Sequence, residues 1–401
     1  MEIDVHALET YNDLARDGAE SAAEALSALT GVETRVETTG VSLLSGSDLR
    51  YEFADRTFAG ISVSLGSPLT GEITLAFDDD GREAIASDLV PTDDPEQVEA
   101  AVAEVGNILA NGFVGGWADH LETKIPVSPP TYVEGSGVDV LPHVPTDDGE
   151  YTFVFRSVVR STADLSFRIL LFPTVEALEE LLGNRAGGGI PLEKLEVFTE
   201  MTERGGAVAA EKLTTMTGLE TTVEVNRLNF VSIPDIPAQV GDDRRVGAAV
   251  EYEGPPGGYL TILFRPESAA ESVGALLPVD GTDEWGERER GALEELCNVI
   301  ASGFLDGWAN VLETSIRHSP PSFVADMGSA ILSPIVADIA RTENYAFVLD
   351  STIETDDSGT VQCQLLALPR RSELEGVLET LPVERAGETA TDPSDHFNRN
   401  N

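Results

Sequence analysis

The spacing of apolar and polar residues predicts the same succession of elements twice along the chain. Alternation with a period of two predicts strands, and apolar residues three and four apart predict helices. Each half reads helix, strands, helix, helix, strands and helix. Antiparallel hairpins with helices on one face, an α+β fold, are the expected outcome. The predicted strands are 71–77, 151–159 and 164–172 in the first half and 258–264, 345–353 and 361–368 in the second.

Two long amphipathic helices are predicted, one in each half, from about 97 to 123 and from about 287 to 314. The first carries Val102, Val105 and Ile108 at helical spacing, and these residues, with Leu109, define a buried stripe. Shorter helices are predicted at 82–89, 173–182, 268–277 and 369–381.

The two long helices carry closely matched sequences at a constant offset of 191 residues. Each copy contains Glu-x-x-Asn, continues through Gly-Phe and Gly-Trp, and reaches a Ser-Pro-Pro. Agreement of that extent at one offset indicates internal duplication. The tryptophans are expected in the core and the glycines at close helix contacts. The matched motif residues are Glu104, Asn107 and Pro130 in the first copy and Glu295, Asn298 and Pro321 in the second.

The duplication predicts two domains, at 1–182 and 192–384. Between them, 183–191 is rich in glycine and reads as a flexible linker. The last segment, 385–401, is polar and is expected to be a disordered acidic tail.

The charge is extreme, at a net of −46 over 401 residues, and is spread along the chain. Such a surface repels phosphate backbones, so nucleic acid is not an expected partner. It indicates a salt-adapted protein, because high ionic strength screens self-repulsion. No apolar run is long enough to cross a bilayer, and the first residues do not form a secretory signal. A soluble, cytoplasmic protein without a membrane partner is therefore expected.

The chain has two cysteines, Cys297 and Cys363, without paired spacing, and its histidines are scattered. Neither a disulfide framework nor a zinc site is predicted.

The chemistry of the repeated motif is restricted by its residue types. Glu104 and Asn107 are three residues apart and project from one helix face, as do Glu295 and Asn298. Asn is not a general base, but it can orient a water molecule, and Glu can accept a proton or pair with a cation. One carboxylate and one amide are too few ligands for a metal. The pair suits water positioning with the electrophile activated on another protein; the alternative is an ordinary solvated helix face.

The motif resembles that of the CheC/CheX/FliY phosphatases of chemotaxis, because 22 residues separate Asn107 from Pro130 and Asn298 from Pro321. The resemblance implies two tandem CheC-like domains, each a pseudo-twofold duplication with antiparallel strands and two long central helices. With the acidic surface, it points to a halophilic archaeon. It also implies an earlier half-site in each domain, degenerate here as Asp13 and Arg16 and as Glu200 and Glu203.

The resemblance further implies a substrate, the aspartyl phosphate of a CheY-type response regulator. The Asn would align the attacking water and the Glu would dock the regulator's lysine. Mg²⁺ would be supplied by the regulator, and the chain would need no cofactor of its own. One departure is that Ala100 and Gly291 stand where the family usually has Asp or Ser, four residues before the Glu.

Two alternatives to a phosphatase are considered, and the first remains open. The chain could be a non-catalytic module that binds a response regulator, a CheD-type deamidase or the motor switch. A structural scaffold outside chemotaxis would make no use of the two matched motifs.

Overall fold

The computed structural model describes residues 2–54, 56–78, 81, 94–141, 144, 151–161, 166–182, 189–277, 285–355 and 361–381. The predicted helix at 82–89, residues 183–188 of the predicted linker and the predicted tail at 385–401 lie outside the described residues.

The two predicted helices that carry Glu-x-x-Asn are both present, and the α+β fold is confirmed. The first begins after Asp94, whose carboxylate accepts a hydrogen bond from the Glu96 amide, with Pro95 as first residue. The helices are α1 Val5–Thr30, α2 Gly46–Glu52, α3 Pro95–His120, α4 Val175–Leu182, α5 Leu192–Thr217, α6 Pro266–Leu276, α7 Glu287–Val311, α8 Gly328–Ile339 and α9 Arg371–Thr380.

Helices α3 and α7 end at the same kind of turn, slightly before the predicted positions. Glu122 and Glu313 adopt positive φ angles of 49° and 48°. The amide of Thr123 then donates to the Ala118 carbonyl at 3.1 Å, and the second copy has the matching bond. A left-handed residue followed by such a bond closes a helix, so both helices stop there.

The six predicted strands are all present, and antiparallel pairs join 71–78 to 166–173, 151–161 to 166–173 and 258–264 to 362–369. Strands that the sequence analysis did not name complete the sheets. The strands are β1 Glu2–Ile3, β2 Thr34–Ser45, β3 Thr57–Leu65, β4 Gly71–Asp78, β5 Thr131–Ser136, β6 Tyr151–Ser161, β7 Ser166–Pro173, β8 Ile190–Pro191, β9 Thr221–Ser232, β10 Arg244–Glu253, β11 Gly258–Phe264, β12 Arg317–His318, β13 Ser322–Met327, β14 Tyr345–Thr355 and β15 Gln362–Pro369.

The chain forms two compact units whose limits differ from the ends of the sequence repeats. Unit 1 contains Met1–Gly189 together with Arg227–Asp243 and Met327–Asp350. The last two segments belong to the second repeat by sequence. Unit 2 contains Ile190–Asn226, Arg244–Asp326 and Ser351–Asn401. The domain limits 1–182 and 192–384 remain a prediction about the repeats.

In unit 1, the strand order is β9, β2, β6, β7, β4, β3 and β5, and α1 packs against α3. The two helices approach closely, because a Cβ on Gly18 would lie 2.5 Å from the Phe113 carbonyl oxygen. Trp117 is fully buried and stacks on Tyr11, as expected for a core residue. In the predicted apolar stripe, Ile108 is only half-buried, because it lies at the edge of the face that the other three bury.

In unit 2, the strand order is β12, β10, β11 and β15, and α5 packs against α7. A Cβ on Gly307 would lie 2.7 Å from the Gly205 Cα, so this close contact requires glycine. Trp308 is fully buried and contacts the rings of Phe198 and Tyr252. The two units thus present α3 and α7 in the same way, each with one side buried and one side exposed.

Candidate functional site

The first Glu-x-x-Asn lies on the solvent side of α3. Glu104 is exposed and Asn107 is half-buried. One turn further on, the Asn111 amide nitrogen donates to the Asn107 side-chain oxygen at 3.1 Å and to its backbone oxygen at 2.7 Å. The carboxamide oxygen of Asn107 is therefore already engaged within the helix.

The second Glu-x-x-Asn lies at the matching place on α7. Glu295 is exposed and Asn298 is half-buried. Ser302, in place of Asn111, donates to the Asn298 backbone oxygen at 2.8 Å and lies 3.0 Å from Nε2 of His318. The carboxamide of Asn298 makes no hydrogen bond to any described residue, so it is available to a ligand.

The Ser-Pro-Pro segment is fixed beside each motif helix by a matched pair of hydrogen bonds. In unit 1, the Ser128 amide donates to the Ser64 carbonyl at 2.9 Å, and the Ser64 amide donates to the Ser128 hydroxyl at 2.9 Å. In unit 2, Ser319 and Glu251 form the same pair at 2.8 and 3.1 Å.

The prolines that end these segments lie near the motif helices. Pro130 and Pro321 are both half-buried. Pro130 leads directly into β5, which contacts α3, and β12, just before Pro321, contacts α7. The repeated spacing from Asn to Pro therefore leads, in each copy, to a short segment next to the motif helix. These segments, 128–132 and 319–323, are called the wall of each site.

The second copy holds this wall more firmly. The Phe323 amide donates to the Glu294 carboxylate at 3.2 Å, and the Arg290 guanidinium lies 5.0 Å from the centre of the Phe323 ring. The matching positions on α3 are Ala103 and Glu99, which cannot make these contacts.

The two departures upstream of the motif are open positions. Ala100 and Gly291 are both exposed, and a Cβ on Gly291 would meet nothing within 4 Å. Both lie one turn before the Glu on its own face, so a longer side chain would fit there.

The residues predicted to form degenerate half-sites have different surroundings in the two units. In unit 1, Tyr345 donates a hydrogen bond to the Asp13 carboxylate, and Arg16 pairs with Asp235. Burial, and then the hydrogen bond to Asp13, raise the pKa of the Tyr345 hydroxyl. These contacts attach segments of the second repeat to α1, which no sequence motif indicated. In unit 2, Glu200 is half-buried and Glu203 is exposed.

Within the described part of the chain, no cluster of three or more His, Cys, Asp or Glu could hold a metal ion. None of the described helices is long and apolar enough to cross a membrane. Cys297 and Cys363 are buried free thiols, and burial raises the pKa of both.

Comparison with known proteins identifies the class. The model of the CheC-like family matches residues 98–134 and 289–325, which contain most of each motif helix and its Ser-Pro-Pro segment. A protein of Halobacterium salinarum with the provisional name CheY-P phosphatase CheC1 is 32% identical over 191 residues, covering 45% of this chain and 97% of that protein. The chain belongs to the CheC-like family, and it carries the family's segment twice. The acidic, salt-adapted composition agrees with this relative's source.

Three solved structures are each similar to less than half of this chain. FliY of Thermotoga maritima is 18% identical, with a TM-score of 0.36 over 45% of this chain and 96% of its own. The FliM middle domain of H. pylori is 12% identical, with a TM-score of 0.37 over 47% and 99%. CheX of Vibrio vulnificus is 14% identical, with a TM-score of 0.31 over 40% and 99%.

Proposed function

We propose that this chain is a chemotaxis phosphatase that hydrolyses the aspartyl phosphate of a CheY-type response regulator in the cytoplasm. The observation that carries the proposal is the pair of exposed Glu and half-buried Asn on each motif helix, beside a fixed Ser-Pro-Pro wall. Membership of the CheC-like family and the name of the Halobacterium salinarum relative support the same reaction.

The roles follow from the chemistry of each group. Asn107 and Asn298 have amide donors and acceptors but no proton equilibrium near neutrality, so they would align the attacking water on the phosphorus. Glu104 and Glu295 are exposed, so they would pair with the regulator's lysine and orient the complex. Mg²⁺ would be held by the regulator, where it neutralises charge on the phosphoryl group.

The test measures decay of a phosphorylated CheY-type regulator with the full chain at high salt. Wild type is expected to accelerate decay. Asn107→Ala combined with Asn298→Ala is expected to remove the acceleration but to keep binding, because the docking glutamates remain. The control is Glu99→Ala, which changes an exposed side chain on the first motif helix. Unaccelerated decay with wild type, or a double variant as active as wild type, would refute the proposal.

Salt dependence gives a second signature. The chain's net charge of −46 repels an acidic regulator at low ionic strength. Added salt screens that repulsion, so association should strengthen as KCl rises. A Kd measured by titration that increases steadily from low to high salt would contradict this prediction.

A specific observation favours docking without turnover at the first copy. The Asn107 carboxamide oxygen is engaged by Asn111, while Glu104 remains exposed for an ion pair. The first copy would then act mainly as a binding site for a regulator, a CheD-type deamidase or the motor switch, and the second copy would carry most of the hydrolysis.

A further inference from the structure

Unit 1 contains a polar cavity whose lining includes no residue of α3. Its volume is about 280 Å³, and strands β2, β6, β7 and β9 contribute to its wall. Four arginines line it, in a chain whose 71 acidic residues outnumber 25 basic ones. Four guanidinium groups around one cavity are unexpected in so acidic a protein, so the contacts of these arginines indicate what the cavity can bind. The arginines are Arg156, Arg160, Arg168 and Arg227.

Glu52 lies at the centre of three of these arginines. Its carboxylate is 2.6 Å from Nη2 of Arg156, 3.1 Å from Nη1 of Arg227 and 3.6 Å from Nε of Arg168. Asp350 pairs with Arg227 at 3.3 Å. Arg160 pairs separately with Glu37 and is largely exposed.

The residues that line the cavity have more positive than negative charge. Four arginines face the three carboxylates of Glu37, Glu52 and Asp350, while Asp48, which does not line the cavity, also acts on Arg227. Buried charge without a counterion is costly, so an uncompensated guanidinium favours an anion nearby.

The excess lies on the side of Arg156 and Arg168. Burial lowers the pKa of Arg156, and the guanidiniums of Arg227 and Arg168 lower it further, which together outweigh the attraction of Glu52 and Asp350. Burial also lowers the pKa of Arg227, but Asp350 and Glu52 outweigh burial and raise it. Arg227 therefore has two close carboxylate partners, Glu52 and Asp350, whereas Arg156 has one, Glu52.

Donors remain available there. The two terminal nitrogens of Arg168 have no hydrogen-bond partner among the described residues, and its guanidinium is held over the Phe53 and Phe58 rings at 5.9 and 5.7 Å. Nε of Arg227 is buried without a partner among the same residues. Nη1 of Arg156 has only a long contact of 3.4 Å to the Ser42 hydroxyl.

We propose that this cavity binds a small oxyanion of the phosphate class. Guanidinium groups match the oxygens of phosphate with paired hydrogen bonds, and a planar group fixed on two aromatic rings is already oriented to make them. The volume exceeds that of several water molecules, which leaves room for a tetrahedral anion. The site is independent of the Glu-x-x-Asn motifs and of the reaction proposed for them.

The two repeats carry opposite charges at one pair of matched positions in this site. Arg156 and Asp350 hold matched positions, in Tyr151-Thr-Phe-Val-Phe-Arg156 and Tyr345-Ala-Phe-Val-Leu-Asp350. Ser42 and Asn229 are partners across β2 and β9, and the Ser42 hydroxyl donates to the Asn229 side-chain oxygen at 2.6 Å.

The test is isothermal titration of inorganic phosphate into the full chain at high, constant KCl. Wild type is expected to bind at a single site. Arg168→Gln is expected to weaken binding at least tenfold, and Arg168→Lys, which keeps the charge but loses the planar fork, by an intermediate factor. The control is Arg341→Gln, a solvent-exposed arginine of unit 1 paired with Asp338.

Circular dichroism verifies that each variant is folded. If Arg168→Gln does not fold, Arg168→Lys carries the test alone. Absence of binding by folded wild type, or equal affinity of wild type and the Arg168 variants, would overturn the proposal. Binding that chloride abolishes without any dependence on Arg168 would also overturn it, because it would show only a general salt effect.

Discussion

The two Glu-x-x-Asn copies have the same residues on the same helix face but different neighbours. In unit 2, the Asn298 carboxamide is free of described partners, and Glu294 holds the segment after Pro321. In unit 1, Asn111 engages the Asn107 carboxamide, and the corresponding wall is joined to β3 by the Ser128–Ser64 hydrogen bonds.

This difference shows that a copy can keep the Glu-x-x-Asn residues without keeping the Asn carboxamide available to a ligand. Duplication copies the motif residues, but the residues one turn away decide whether the amide is available. The units also differ in buried charge, because unit 1 contains the Glu52 cluster while ion pairs of unit 2 such as Arg370–Glu251 are solvent-exposed.

The largest expected effect is on the stability of unit 1. Glu52→Gln removes the carboxylate that three partly buried guanidiniums share and should cost about 3 kcal/mol. Unfolding followed by Trp117 fluorescence, with Trp285 and Trp308 replaced by Phe, reports on unit 1. A loss as large in unit 2, reported by Trp308 alone, would contradict the assignment.

The same carboxylate makes unit 1 sensitive to acid. Burial alone would raise the pKa of Glu52, but Arg156, Arg227 and Arg168 outweigh burial and hold the pKa below its usual value. A depressed pKa contributes stability above the unfolded value that is lost as pH falls through the folded one. Glu52→Gln should therefore flatten the acid side of the stability curve of unit 1.

The next effect separates the two sites. Asn298→Ala should lower regulator dephosphorylation by roughly ten- to a hundredfold, because the water loses its alignment. Asn107→Ala should lower it by no more than about twofold, since that amide is already engaged by a hydrogen bond. The measurement is the decay of the phosphorylated regulator. Equal losses of activity in the two variants would show that the hydrogen bond from Asn111 to Asn107 does not affect hydrolysis.

A reciprocal exchange sharpens the comparison. Asn111→Ser removes the bond to the Asn107 side chain and should raise first-copy activity by about two- to tenfold in an Asn298→Ala background. Ser302→Asn in an Asn107→Ala background should do the opposite at the second copy. Both variants keep a side chain that can donate to the backbone oxygen one turn earlier. Changes in the same direction at both copies would exclude this explanation.

The smallest effect concerns the wall. Glu294→Ala removes the acceptor of the Phe323 amide and should cost about 1 kcal/mol locally, since the pair is partly solvated. Hydrogen exchange over 319–323 should then accelerate. The control is Glu99→Ala, at an exposed position of α3 without a matching bond. Unchanged exchange would show that the strand contacts suffice.

Much of the fold could be predicted from sequence because it depends on local patterns. The apolar alternation predicted 258–264 with the observed bounds, and the repeat predicted both long helices. Their ends were placed too late, because a left-handed Glu122 or Glu313 has no signature comparable to glycine. The limits of the two compact units could not be read from the repeat, since they depend on contacts between distant segments, such as Arg16 with Asp235.

The candidate site was predicted only in part for the same reason. Glu104, Asn107 and their second-copy equivalents could be predicted because their spacing is regular. Aligning the two copies could also have drawn attention to Asn111 and Ser302, which differ one turn beyond the motif. His318 is two residues before Pro320 but reaches Ser302 only through folding, so no local pattern reveals it.

The opposite charges at the matched positions Arg156 and Asp350 have a consequence for how this protein can evolve. A chain built from two copies of its first repeat would bring arginine to both positions, and one built from two copies of the second would bring aspartate to both. Neither would have the attraction that joins Arg227 to Asp350 while Glu52 balances Arg156. The halves have become complementary parts, so recombination between them would be penalised and the duplication is no longer readily reversible.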